Sequence, residues 1–100
     1  MVRHIVMWNL KEHALGNSRD ANARLLKERL EALAGKIPGL LRIEVGLGDG
    51  DSAETADVVL YSELEDWPAL GTYQNHPLHR EVVPFVGEIR SERRVVDYEV

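Results

Sequence analysis

The segment Val2-Arg3-His4-Ile5-Val6-Met7-Trp8-Asn9-Leu10 decides the fold. Side chains alternate across a strand, so Val2, His4, Val6, Trp8 and Leu10 share one face, and Arg3, Ile5, Met7 and Asn9 share the other. Both faces carry apolar side chains. A strand of this kind is covered on both sides. The sheet that holds it therefore needs helices on one face and a second layer on the other.

The rest of the chain supplies the partners. Lys11 to Ser18 is a polar connector containing Gly16 and Asn17, and Asn17 or Ser18 can cap a following helix with Asp20 in its first turn. Residues 19–35 are predicted to be an amphipathic helix, because Ala23, Leu26, Leu30, Leu33 and Ile37 recur at spacings of three and four. Arg24–Glu28 and Lys27–Glu31 can pair on its wet side. Gly35 stops the helix and Pro38 prevents it from resuming. Residues 40–47 read as a second strand, with Leu41, Ile43, Val45 and Leu47 alternating against Arg42, Glu44 and Gly46. The turn Gly48-Asp49-Gly50-Asp51-Ser52 leads to a third strand over 55–64, closing a hairpin.

Glu65-Asp66-Trp67-Pro68 opens a second helix, in which Trp67, Leu70 and Tyr73 share one face. Asn75-His76-Pro77 interrupts it, and a short helical piece carrying Leu78, His79, Val82 and Val83 is expected to end near Pro84. Residues 89–98 alternate weakly, with Val95, Val96 and Tyr98, and read as a fourth strand. The order βαββαβ is the split βαβ arrangement. It predicts an α+β fold whose four-stranded antiparallel sheet carries both helices on one face. The other face is apolar, and such a surface marks an interface. Its simplest cover is a second copy of the chain, packed sheet to sheet with twofold symmetry.

Composition narrows the function. At 100 residues the chain is expected to be one domain over 1–100. It has no cysteine, which excludes disulfides, thiolate metal sites and a cysteine nucleophile. Net charge is −5, from 17 acids against 12 bases, so nucleic acid is not expected as a partner. No apolar run approaches the ~20 residues that span a bilayer. The opening apolar run is broken by Arg3 and His4 and is too short for a secretory leader. A cytoplasmic protein without a membrane partner is expected. Gly46-Leu47-Gly48-Asp49-Gly50 does not open a helix, so it is no phosphate loop, and there is no Gly-x-Ser-x-Gly elbow. The Glu92-Arg93-Arg94 run reads as a solvated strand edge.

The residues with chemistry are the histidines and one tyrosine. His13 lies in the connector and reads as solvated. His4, on the face of Val6 and Trp8, reads either as a core histidine bonded to a backbone group or as a pocket base. Tyr73-Gln74-Asn75-His76-Pro77-Leu78-His79 places a phenol and two imidazoles within seven residues. A neutral imidazole can take a proton near pH 7, and a phenol can hydrogen-bond a developing oxyanion. On the structural alternative, Tyr73 is a core residue and His76 caps the helix break. His76 and His79 could share a metal with His4, but Pro77 intervenes and no carboxylate sits at a supporting spacing, so no metal is expected.

The opening strand, Ile37-Pro38-Gly39, the Tyr73–His79 segment and the closing Val95-Val96-Asp97-Tyr98 together resemble the stress-responsive dimeric α/β-barrel (Dabb) domain family, along essentially the whole chain. The resemblance implies a ferredoxin-like subunit and a homodimer whose sheets close into a dimeric α/β barrel. A plant member, olivetolic acid cyclase, is a cofactor-independent polyketide cyclase, and its catalytic Tyr and His correspond to Tyr73 and His79. By that resemblance His79 abstracts a proton α to a carbonyl and Tyr73 stabilises the oxyanion. His4 and His76 keep one end of the pocket polar, and no metal or organic cofactor is required. The implied ligand is a small apolar carbonyl compound, and the implied reaction is cyclase-like or isomerase-like. The cyclase lines its pocket with aromatics from helix one, but residues 19–36 contain none. By the resemblance Leu26, Leu30 and Leu33 line the pocket there instead, with Val6 and Trp8 of the first strand as further substrate-binding residues.

Two other functions compete. A non-catalytic stress-response or ligand-binding dimer predicts a filled or very small pocket, with Tyr73 and His79 bonded to backbone. An oxygenase acting on haem or a quinol would use Trp8 and Asn9, but neighbours on a strand face opposite ways and cannot line one site.

Overall fold

The computed structural model describes residues 1–100. Its elements run β1 (Val2–Leu10), β2 (His13–Ala14), β3 (Asn17–Ser18), α1 (Arg19–Glu31), β4 (Leu40–Leu47), β5 (Val58–Leu64), α2 (Trp67–Asn75), α3 (Pro77–Ile89) and β6 (Arg90–Glu99). The main sheet is antiparallel in the order β4-β5-β1-β6, which is the ferredoxin-like topology. β2 and β3 form a two-rung hairpin inside the connector. Leu15 and Gly16 turn it with φ of 53° and 77°. The Asn22 amide, buried on α1, donates to the Ala14 carbonyl at 3.0 Å and ties the hairpin to the helix.

Alternation along β1 sets the layers. Val2, His4, Val6, Trp8 and Leu10 are all buried beneath the helices. Val58, Leu60, Ser62 and Leu64 of β5 lie on the same side and are buried with them. The opposite face is open. There Ile5 lies between Tyr61 and Val96, and Met7 between Val59 and Arg94.

α1 begins where Ser18 Oγ accepts the Ala21 N–H at 3.2 Å. It buries Ala23, Leu26 and Leu30. The helix ends at Glu31, short of the expected residue 35, because Leu33 and Ala34 bond back three residues instead of four and tighten the chain into turns. Lys27 pairs with Glu31 at 2.9 Å, and the same carboxylate accepts the Val45 N–H at 3.0 Å, fastening helix to sheet.

Four further expectations need correction. β5 starts at Val58, not 55. Leu41 is exposed, because a register shift between Leu40 and Arg42 takes it out of the alternation. Trp67 heads α2 but stays exposed, whereas Leu70 and Tyr73 are buried. The last helix continues through Pro84 to Ile89. Pro84 lacks an N–H for the Arg80 carbonyl and costs roughly 3 kcal/mol in a helix interior. Burial of Val82, Phe85 and Ile89 on one face offsets that cost.

Gly39 joins α1 to β4 at a point of close approach. Its φ is +82°, and a Cβ there would lie 2.6 Å from the Ala69 Cβ. Gly39→Ala therefore combines left-handed strain with overpacking and is expected to destabilise by about 2–4 kcal/mol. Urea unfolding followed by circular dichroism reads this directly. An unchanged midpoint would show that α2 yields freely at Ala69.

Candidate functional site

The interruption between α2 and α3 builds the site. Asp66 caps α2 by accepting the Ala69 N–H at 2.9 Å, and the helix then carries Tyr73 inward to full burial. His76 ends α2, and Pro77 starts α3 at the position where proline is best tolerated. The break resets the helical phase and brings His79 back against Tyr73. Their ring centroids lie 4.5 Å apart with the planes tilted by 52°. The His4 ring, rising from β1, meets Tyr73 edge-on at 6.0 Å.

These rings border a cavity of about 290 Å³ between the helices and the sheet. That is close to the lower end of the range for small-molecule pockets. Val6, Trp8 and Leu60 form the sheet side of the cavity, and Leu30, Val82 and Val86 the helix side. The exposed residues Val83, Arg90 and Arg93 also line it, marking the mouth.

Hydrogen bonds fix the tautomers of both imidazoles. His79 Nδ1 lies 3.1 Å from the Gln74 carbonyl oxygen. A carbonyl can only accept, so Nδ1 carries the proton and Nε2 keeps a free lone pair. His4 Nδ1 bonds the Asp97 carboxylate, its direct cross-strand neighbour, and is protonated there for the same reason. Ser62 Oγ donates to the His4 carbonyl at 2.8 Å and holds β1 at this point.

The Tyr73 hydroxyl is buried and has no hydrogen-bond partner. Burial pushes its pKa up to about 12, so it stays a phenol. The Trp8 indole N–H is likewise buried and unpartnered. Burial lowers the His79 pKa. The Gln74 carbonyl opposes that shift, while the neighbouring His4 and Arg93 reinforce it. His79 is accordingly a neutral imidazole at pH 7, beside a phenol with an unused proton.

Of the residues singled out from sequence, the structure gathers Tyr73, His79, His4, Val6, Trp8 and Leu30 around one cavity. It does not bring Leu26 or His76 there. Leu26 is fully buried in the core. His76 Nδ1 accepts the Leu78 N–H at 3.1 Å and caps α3. Asn9 lies on the opposite face of β1 from Trp8. Sequence reasoning missed Asp97, Arg90 and Arg93. Each depends on how β6 pairs with β1, and the only local signal for that pairing was the weak alternation of residues 89–98.

Comparison with known proteins agrees with this architecture. A dimeric protein of unknown function with a ferredoxin-like fold from Bacteroides fragilis is 33% identical, with a TM-score of 0.85, over 99% of this chain and 95% of its own. A dimeric ferredoxin-like protein of unknown function from Thermobifida fusca is 21% identical, with a TM-score of 0.84, over 99% of this chain and 90% of its own. The hydroxynitrile lyase from Passiflora edulis shares the fold at 16% identity, with a TM-score of 0.81, over 99% of this chain and 92% of its own. No protein of curated function matches in sequence. The stress responsive A/B barrel domain family matches residues 2–100, nearly the whole of the chain: the chain belongs to the stress responsive A/B barrel domain (Dabb) family.

Proposed function

We propose that the protein is a homodimeric acid/base enzyme that moves a proton α to the carbonyl of a small apolar compound, in a cyclase-like or isomerase-like reaction. The observation that carries this reading is the state of the two groups beside the cavity. His79 is neutral with its Nε2 lone pair uncommitted, and Tyr73 holds a buried, unpartnered hydroxyl. An unsatisfied buried polar group costs about 1–3 kcal/mol, and a ligand oxygen accepting from Tyr73 would relieve that cost.

In the proposed step, His79 Nε2 takes the α-proton and the C–H electron pair passes into the enolate. The carbonyl oxygen gains the negative charge and accepts a hydrogen bond from Tyr73. Return of the proton to the same or another carbon completes an isomerisation. Attack of the enolate carbon on a second carbonyl of the same molecule forms the ring bond and an alkoxide, which takes the proton back from His79 and completes a cyclisation. His4, oriented by Asp97, keeps a polar group beside Tyr73. The open sheet face, with Ile5, Met7, Tyr61 and Val96, is the surface on which two copies would meet.

Deuterium exchange at the α-carbons of 4-phenyl-2-butanone in D2O, followed by NMR, tests the reaction class without knowledge of the natural substrate. The wild-type protein is expected to accelerate exchange over buffer. Tyr73→Phe is expected to lower that rate by about 10²-fold, as loss of one oxyanion donor does elsewhere. No acceleration by wild type would retire the enzyme reading and leave a ligand-binding dimer in its place.

A further inference from the structure

The cavity is unlike the rest of the molecule in its charge. The chain has 17 acidic residues against 12 basic ones, yet no Asp or Glu lines the cavity and two arginines do. Neither Arg90 nor Arg93 has a carboxylate within ion-pairing distance. Of the three buried side-chain polar atoms without partners, the two on residues that line the cavity, the Tyr73 hydroxyl and the Trp8 indole N–H, can donate hydrogen bonds. Against these donors, the Nε2 atoms of His79 and His4 are the acceptors. A ligand that satisfies such a lining is rich in acceptor oxygens and carries negative charge.

The backbone places the two arginines on purpose-like terms that sequence spacing would not suggest. Residues three apart on a regular strand face opposite ways. The register of β6 against β1 shifts between Asn9 and Leu10, so that Trp8 pairs with Arg93 and Leu10 with Arg90. Trp8 and Leu10 both face the helices, so Arg93 faces the cavity in regular register and the bulge turns Arg90 to the same side. Re-aiming a side chain is a recognised use of a bulge beside a site. Guanidinium forks match carboxylates in geometry and charge.

We infer that the ligand of this cavity is a carbonyl compound bearing a carboxylate, which Arg93 and Arg90 receive at the mouth while the carbonyl reaches Tyr73 and His79. The inference rests on the reading of the cavity as a ligand pocket and adds the chemical class of the ligand.

The test titrates 4-oxo-4-phenylbutanoate, a stable keto acid, and its primary amide into the full chain by calorimetry. Wild type is expected to bind the acid about tenfold more tightly than the amide or better, as a charge-assisted hydrogen bond supplies. Arg93→Gln and Arg90→Gln should each erode that preference. The double variant should abolish it, bringing binding of the acid down to that of the amide in the same variant. Both side chains are exposed, so the variants keep the fold. Equal binding of acid and amide by wild type overturns the inference and leaves the pocket reading standing. An acid preference that survives in the double variant overturns the assignment to these arginines. Failure of both probes to bind removes the pocket reading, and the inference with it.

Discussion

His79→Ala is expected to lower α-proton exchange by about 10²–10⁴-fold, the usual contribution of a positioned general base. The geometry makes this residue, and not His4, the base. His79 is held through Nδ1 by the Gln74 carbonyl, so Nε2 is free, and its ring centroid lies 4.5 Å from that of Tyr73. His4 is committed to Asp97 and its ring lies farther from Tyr73, at 6.0 Å. The truncated side chain is only partly buried, so the variant should fold, and added imidazole should restore part of the rate. The pH dependence supplies an independent check. Burial lowers the His79 pKa, so the base form persists below the ordinary imidazole value and the acid limb of the exchange profile lies below pH 6.5. Stability carries the same sign. The unfolded chain binds the His79 proton more readily, so this residue's contribution is full above pH 6.5 and falls as the pH drops toward its folded pKa. In the His79→Ala variant that part of the acid destabilisation should disappear. A variant that exchanges at the wild-type rate would remove His79 from the role of base.

What could be read from the sequence divides along physical lines. Periodicity reports faces, and the faces of β1 and α1 followed from it because one set of neighbours buries each of them. Pro84 misled because propensity is local and burial is not: Val82, Phe85 and Ile89 keep the helix going past a residue that would end it in isolation. The site was legible where its residues lie close in the chain, as Tyr73 and His79 do. His76 and His79 look equivalent in sequence. Pro77 separates them, so His76 stays outside as a cap while His79 turns inward. Asp97, Arg90 and Arg93 reach the site by strand pairing across eighty residues or more. Arg90 faces the site through a bulge that no glycine or proline announces, and a residue-by-residue reading assigns Arg93 to a solvated edge.

The division of the cavity between layers also explains why the open sheet face matters to a site it does not touch. Tyr73 and His79 come from α2 and α3, whereas His4, Trp8 and Arg93 come from β1 and β6. Their spacing is kept by helix-to-sheet packing. β6 is an edge strand, and Val96 and Tyr98 on its open side are exposed.

Ile5→Glu is therefore expected to have the largest effect on assembly. Ile5 sits at the centre of the open face, between Tyr61 on one neighbouring strand and Val96 on the other. Charged groups stand toward the margins, Arg3 beside Glu63 and Arg94 opposite Met7, which is the pattern of an apolar interface core with a polar rim. Twofold symmetry places the substitution in the interface twice, and each buried carboxylate without a partner costs on the scale of an interface hot spot, about 2 kcal/mol or more. The dimer dissociation constant should rise by about 10³-fold or more, read by sedimentation velocity across a dilution series. Leu15→Glu is the control, because Leu15 is exposed in the connector hairpin, away from the sheet face. A variant monomer that keeps its circular dichroism but loses α-proton exchange would show that the cavity needs the covered sheet. One that keeps both would show a self-sufficient subunit. If Ile5→Glu remains dimeric at low micromolar concentration while the control behaves like wild type, the two copies do not meet through this face. The apolar surface would then need another occupant, since six apolar or aromatic side chains aligned across three adjacent strands, Ile5, Met7, Val59, Tyr61, Val96 and Tyr98, are not left to water without cost.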